Sequence, residues 1–141
     1  MSSGNPFKNI EGHLLHGISV EKYTEKTLRL ELDEGRDYYV TTWGDCCSES
    51  WWADITGVLS ATPGVVLKTE VLKDWFPDDD GRSRQEEDIA YGYQIKTNKG
   101  VIDLVFRNSS NGYYGGWAEQ DTPEAYHDIE FEGVSSNDWR A

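Results

Sequence analysis

Alternating apolar residues constrain the fold of this chain more than any other feature. They recur at every second position over residues 89–97 and again over residues 101–107, and Asn98-Lys99-Gly100 separates the two runs. A period of two is typical of a strand whose side chains point alternately to opposite faces. A short polar segment that ends in glycine suits a tight turn between paired strands. The pattern therefore predicts an antiparallel β-hairpin.

A second hairpin is predicted nearer the N-terminus. Leu28, Leu30 and Leu32 alternate with charged residues, and the turn Asp33-Glu34-Gly35-Arg36 separates them from the strand-forming residues 37–43. Residue composition and spacing predict further strands over residues 10–23, 65–75 and 128–132.

A helix is predicted directly after the motif Gly44-Asp45-Cys46-Cys47-Ser48. Ser48 carries a hydroxyl typical of an N-cap residue, and apolar residues from Trp51 to Leu59 recur at helical spacing. We therefore predict an α+β fold, mainly an antiparallel β-sheet with one short helix packed on it. Residues 1–26 are interpreted as an N-terminal extension or edge strand, and residues 27–141 as a single α+β domain.

The charge of the chain restricts its partners. The 141 residues include 26 acidic and 13 basic side chains, which give a formal net charge of −13. Such a charge opposes contact with phosphate backbones and anionic lipid, so we expect no direct binding to nucleic acid or to membranes. No apolar run approaches the roughly 18 residues of a membrane span. The acidic surface either serves solubility alone, repels nucleic acid, meets a basic partner, or imitates nucleic acid toward such a partner.

The charged segment Pro77–Glu87 has the glycine-to-glutamate spacing of a calcium-binding loop. Gly81 is followed six residues later by Glu87, but the first ligand position falls on Phe76, which has no oxygen to offer, and a proline follows it. We therefore predict no metal site and no cofactor.

Two adjacent thiols are the first candidate for chemistry. Cys46 and Cys47 stand before the predicted helix, where unpaired N–H groups favour a thiolate, and His127 is a candidate base. Asp45 works against a second negative charge nearby. The alternative is that the cysteines are small buried hydrophobic residues, as unpaired cysteines often are. Neighbours also fit a disulfide poorly, which favours a reducing cytoplasm.

The second candidate is the aromatic and glycine-rich segment from Asn111 to Trp117. Asn111-Gly112 suits a turn, and Tyr113, Tyr114 and Trp117 are residue types that are enriched in recognition surfaces. The alternative is that this segment only covers the end of a sheet.

Together, Gly44-Asp45-Cys46-Cys47-Ser48 with Trp51 and Asn111-Gly112-Tyr113-Tyr114-Gly115-Gly116 resemble a family of small uncharacterised proteins of bacteriophage and bacterial genomes. The resemblance spans about Thr27 to Glu119 and leaves out the N-terminal 26 residues and the tail. It implies a phage or mobile-element setting, where small acidic proteins often inhibit host machinery, and hence the host cytoplasm.

Three hypotheses follow for the function. The leading one is a non-enzymatic binding protein, such as a phage-type accessory or counter-defence factor that engages a host protein or a small ligand. The second is a thiol enzyme that uses Cys46 or Cys47 as nucleophile and His127 as base, and the third is a purely structural module. The contact residues expected under the first hypothesis are Asp45, Ser48, Asn111, Tyr113, Tyr114 and Trp117.

Overall fold

The structure, a computed structural model, describes residues 4–45, 47–111 and 115–140. These residues form ten strands, one short α-helix and three 3₁₀ turns, at Lys8–Ile10, Asp33–Gly35 and Pro123–Tyr126. The strands and the helix are β1 (Leu14–Glu21), β2 (Thr27–Leu32), β3 (Asp37–Gly44), β4 (Glu49–Thr56), α1 (Val58–Ala61), β5 (Gly64–Val71), β6 (Glu87–Thr97), β7 (Val101–Ser110), β8 (Gly116–Asp121), β9 (Phe131–Gly133) and β10 (Asp138–Arg140).

All of the strand pairs are antiparallel, and they form one path that bends at β5. The order along the path is β10-β4-β7-β6-β5-β1-β2-β3-β8, with β9 paired to β1. The first two residues of β5 pair with β1, whereas residues 66–71 pair with β6. Leu28 of β2 belongs to the same buried core as Trp52 of β4 and Phe106 of β7. The two halves of the sheet therefore enclose one core.

Both predicted hairpins are confirmed. β2 pairs with β3, and β6 pairs with β7 over ten residue pairs. The strand predicted over residues 65–75 is shorter, because β5 ends at Val71 and Trp75 forms only an isolated bridge with Ala90. The fold is thus mainly an antiparallel sheet, and the helical part of the predicted α+β fold is minor.

The prediction of a helix that begins at Ser48 is wrong, because residues 49–56 form the strand β4. This strand has β7 on one edge and β10 on the other, and Trp51, Trp52 and Ala53 are all buried. A strand covered on both faces shows no alternation of polar and apolar residues, so its sequence imitates a helical pattern. The short α1 begins only after Gly57, whose φ of 89° is a left-handed conformation. No helix formed by the described residues has the length and apolar character needed to cross a bilayer.

The N-terminal segment belongs to the sheet and to its core. β1, which lies within residues 1–26, pairs with β2 on one edge and with β5 and β9 on the other, so it is not an edge strand. Phe7 is fully buried, and its ring meets those of Trp52 and Tyr93 edge-on at centroid distances of 6.1 and 5.2 Å. Removal of this segment would open the core.

Candidate functional site

The two sequence motifs meet at one corner of the sheet. We use the term corner for residues 44–50, which connect β3 to β4, and residues 108–117, which connect β7 to β8; Cys46 and residues 112–114 lie outside the described part of the chain. Gly44 pairs with Gly116 in the ladder between β3 and β8, and Ser50 pairs with Asn108 in the ladder between β4 and β7. Strand pairing therefore fixes each of the two segments of the corner near both of its ends.

Close contact between backbone and side chains explains the glycines at positions 44 and 116. A Cβ atom at Gly116 would lie 2.6 Å from the Ser50 hydroxyl and 2.9 Å from the Trp43 carbonyl oxygen. A Cβ atom at Gly44 would meet the Ser48 hydroxyl and lie 2.8 Å from the Asn108 amide nitrogen. Only glycine fits these two positions without displacing a neighbour.

A buried amide ties the two segments of the corner together. The Asn108 amide nitrogen donates to the hydroxyls of Ser48 (3.1 Å) and Ser50 (2.9 Å), and the Asn108 side chain is completely buried. The Ser50 hydroxyl donates to the Trp43 carbonyl at 2.8 Å, and the Ser48 hydroxyl donates to the Asp45 carbonyl at 2.8 Å. Ser48 thus closes a turn and does not cap a helix.

A cavity of about 670 Å³ opens beside the corner, and we call it the corner cavity. Three parts of the chain line it: the corner, the segment at the end of β5, and the middle of β6. The lining residues are Asp45, Val71, Leu72, Asp74, Tyr91, Gly92, Tyr93, Gly115, Gly116 and Trp117.

Packing holds the aromatic wall of the corner cavity in place. The Tyr91 ring stacks on Phe106 at a centroid distance of 4.7 Å, and its hydroxyl oxygen accepts a hydrogen bond from the Gly116 N–H at 3.2 Å. Burial raises the pKa of Tyr91, and the negative charge of Asp74 adds to this rise. Burial also raises the pKa of Tyr93 to about 12. Both rings therefore stay neutral at physiological pH.

The cavity wall also carries two carboxyl groups. Asp45 and Asp74 are exposed, and neither has an ion-pair partner among the described residues. None of the described residues that line the cavity is basic. The charged side chains that the described residues bring to the cavity are therefore all negative.

The structure brings only some of the predicted binding residues to the cavity. Asp45 and Trp117 line it, whereas Ser48 belongs to the hydrogen-bond network beside it and also lines a smaller recess with Thr42 and Tyr126. Asn111 is exposed at the end of β7. Tyr113 and Tyr114 lie outside the described residues, so their assignment stays a prediction.

The candidate thiol site lacks the helix on which it was based. A strand begins at Glu49, and Cys47 lies in the preceding turn, exposed, with a left-handed φ of 72°. The His127 side chain is 78% exposed, and its Nε2 atom lies 3.3 Å from a carboxylate oxygen of Asp128. Cys46 lies outside the described residues. The catalytic roles of Cys46, Cys47 and His127 stay predictions.

Sequence reasoning missed Tyr91, Asp74 and Asn108. Tyr91 was one of several alternating residues in a predicted strand, and Asp74 stood among other charged residues. The one local signal at Asn108 was that three polar residues, 108–110, follow directly on an alternating apolar strand. Polar residues that continue a buried strand are a sign of a hydrogen-bonded network.

The charged segment at residues 77–86, here called the acidic loop, packs on the face of β4 and β7 that points away from the core. Arg107 is 4% exposed and binds Asp80 (2.6 Å) and Asp88 (3.2 Å). Arg82 forms two hydrogen bonds of 3.1 Å with Asp54, and the Arg84 guanidinium lies 4.0 Å from the centre of the Trp51 ring. Arginine side chains thus neutralise Asp80 in this loop.

A family model described as "Domain of unknown function (DUF7448)" matches residues 8–118. The chain belongs to the DUF7448 family. The match begins before β1 and ends within β8, so it includes both segments of the corner. It also includes residues 8–26, which the resemblance read from the motifs had left out.

A viral protein is among the relatives of this DUF7448 member. The "Uncharacterized protein L278" of Acanthamoeba polyphaga mimivirus is 35% identical over 108 residues, which cover 72% of this chain and 84% of that protein. No solved structure matches the chain. The comparisons thus indicate an uncharacterised family with a viral relative.

Proposed function

We propose that the protein is a non-enzymatic binding protein and that the corner cavity is its binding site. The observation that carries this proposal is the convergence of remote segments: Asp45 from one motif, Gly115 to Trp117 from the other, and Tyr91 from β6 line the same cavity. A concave, largely apolar surface with a few polar groups is typical of ligand sites. A volume of about 670 Å³ suits a small molecule or an inserted side chain.

The biological role that fits this site is that of an accessory factor of a virus or mobile element. The mimivirus relative supports this setting, and the net charge of −13 favours a basic partner over nucleic acid. In this proposal the protein engages a host protein or a small ligand in the host cytoplasm and thereby inhibits or evades a host function.

Two observations favour binding over thiol chemistry. The Tyr91 side chain in the cavity wall is positioned by its stacking on Phe106 and by the hydrogen bond from the Gly116 N–H. The predicted thiol site, in contrast, lacks the helix N-terminus that was expected to favour a thiolate at Cys46 or Cys47.

Ligand titrations of a matched pair of tryptophan variants test the proposal. Trp117 lines the cavity, whereas Trp43, its partner on the same rung of the ladder, does not. The isotope-labelled protein is screened by NMR against a library of small neutral, anionic and cationic metabolites. We expect ligand-induced shifts around Asp45, Tyr91 and Gly116. Trp117→Ala should weaken that binding about tenfold, because a ring of the wall is lost.

Trp43→Ala is the control and should retain the wild-type affinity. The proposal fails if no ligand shifts the resonances of the cavity. It also fails if Trp43→Ala and Trp117→Ala weaken binding equally, because the effect would then come from the strand pair and not from the cavity.

A further inference from the structure

We propose that the corner cavity binds an organic cation: an ammonium or guanidinium group carried on an apolar stem. This inference rests on the function proposed above, since it takes the same cavity as the site, and it adds the chemical class of the ligand.

The charges at the cavity are the first observation. Asp45 and Asp74 line it, no described lining residue is basic, and neither carboxylate has an ion-pair partner among the described residues. Asp54 and Asp88, in contrast, are paired within the chain with Arg82 and Arg107. At the cavity the neutralising charge is left for a ligand to supply.

The second observation is the aromatic wall. Trp117 and Tyr91 line the cavity together with the two carboxylates, and the faces of such rings attract cations. The chain uses the same pairing elsewhere: the Arg84 guanidinium lies 4.0 Å from the centre of the Trp51 ring, and both Glu25 and Glu49 bind it.

The remaining lining residues distinguish an organic cation from a metal ion. Val71 and Leu72 add apolar surface next to the carboxylates, and a hydrated metal ion gains nothing from such surface. Among the described residues, no group of three or more His, Cys, Asp or Glu side chains is placed to hold a metal. An alkyl stem, in contrast, buries its CH₂ groups against Val71 and Leu72 while its charged end meets the carboxylates.

The test compares a cation with its neutral isostere. Butylguanidinium and butylurea have nearly the same shape but differ by one positive charge. The full-length protein is titrated with each by NMR, and we expect butylguanidinium to bind at least about tenfold more tightly. Asp45→Asn and Asp74→Asn should each remove most of that difference. Asp78→Asn, which makes the same change of net charge outside the cavity, should leave it intact.

A second pair of probes identifies the source of the cation. A short capped peptide that contains one arginine is compared with the same peptide containing citrulline, the neutral isostere of arginine. Preference for the arginine peptide over butylguanidinium would identify a protein side chain as the ligand. Equal affinity of the two cationic probes would identify a free organic cation. Both results support the proposal.

Equal binding of the charged and neutral probes would overturn the cation proposal, and so would a preference for charge that Asp45→Asn and Asp74→Asn leave unchanged. In either case the binding function stands if another compound of the library occupies the cavity. If no compound of any charge shifts the cavity resonances, both proposals fail.

Discussion

Asn108 joins two segments that lie far apart in the sequence. Its amide nitrogen donates to Ser48 and Ser50, and both hydroxyls in turn donate to carbonyl groups near the end of β3. Because the amide is completely buried, water does not replace these bonds when they are lost. Asn108 therefore holds residues 44–50 against β7 and keeps Asp45 at the cavity.

Asn108→Ala is expected to lower the free energy of unfolding by about 2 kcal/mol, because a buried amide loses its two hydrogen bonds. Asn111→Ala removes an exposed amide three residues further on and should change it by less than about 0.5 kcal/mol. Urea unfolding followed by tryptophan fluorescence measures both variants. Equal stability of the two would contradict the role assigned to Asn108.

At the scale of elements, local pattern predicted strands that have one buried face and failed where both faces are buried. β2 alternates Leu28, Leu30 and Leu32 with half-exposed charged residues, so its period was visible. β4 buries Trp51 beneath the acidic loop and Trp52 in the core, and so its period was hidden. The outer face of β4 is covered by the acidic loop, which lies more than 20 residues further along the chain. No local sequence pattern indicates such a contact.

The acidic loop should make the stability of the fold depend on pH. A hydrogen bond from Arg107 lowers the pKa of Asp80, and a bond from Arg82 adds to this effect. A carboxyl group whose pKa is lower in the folded state stabilises the fold above its unfolded pKa of about 3.9, and this contribution is lost as the pH falls through the folded value.

We therefore expect Asp80→Asn to be less stable than the wild type at pH 7. The variant should also lose less stability than the wild type between about pH 5 and about pH 3. Asp78→Asn, an exposed neighbour, is the control and should follow the wild type. Chemical unfolding at a series of pH values gives these curves. Parallel curves for the wild type and Asp80→Asn would exclude a contribution from this ion pair.

At the scale of the whole molecule, the N-terminal segment and the rest of the chain share one core. Phe7, Ile10 and Leu15 are fully buried in the same cluster as Trp52 and the other core residues. The period of β1 was weak in the sequence because glycines interrupt it, and nothing local showed that β2, β5 and β9 would pair with it.

Deletion of residues 1–26 is accordingly expected to leave residues 27–141 without a cooperative unfolding transition, because β2 and β5 lose a partner and the core loses Phe7. Near-ultraviolet circular dichroism and NMR dispersion measure this directly. Addition of a synthetic peptide of residues 1–26 in trans should restore the native spectrum. A folded fragment without the peptide would support the division of the chain at residue 27.

The candidate site was predictable only in part, for a related reason. Asp45 and Trp117 were identified from their residue types on loops, and both line the cavity. Tyr91 and Asp74 reach it because β6 pairs with both β5 and β7, and such pairings between remote segments leave no mark on the residues themselves. The motifs therefore predicted where the site lies, whereas its other residues can be identified only from the pairing of the strands.

Gly44 and Gly116 face each other across one ladder, and both lie against the Ser50 hydroxyl. Substitutions in one loop of the corner are consequently coupled to substitutions in the other. A larger residue at either glycine demands a compensating change at Ser48, Ser50 or Asn108, so homologues should diversify here through paired substitutions. A combinatorial library that randomises one loop and keeps the other constant is expected to be depleted of folded members, whereas joint randomisation should recover them.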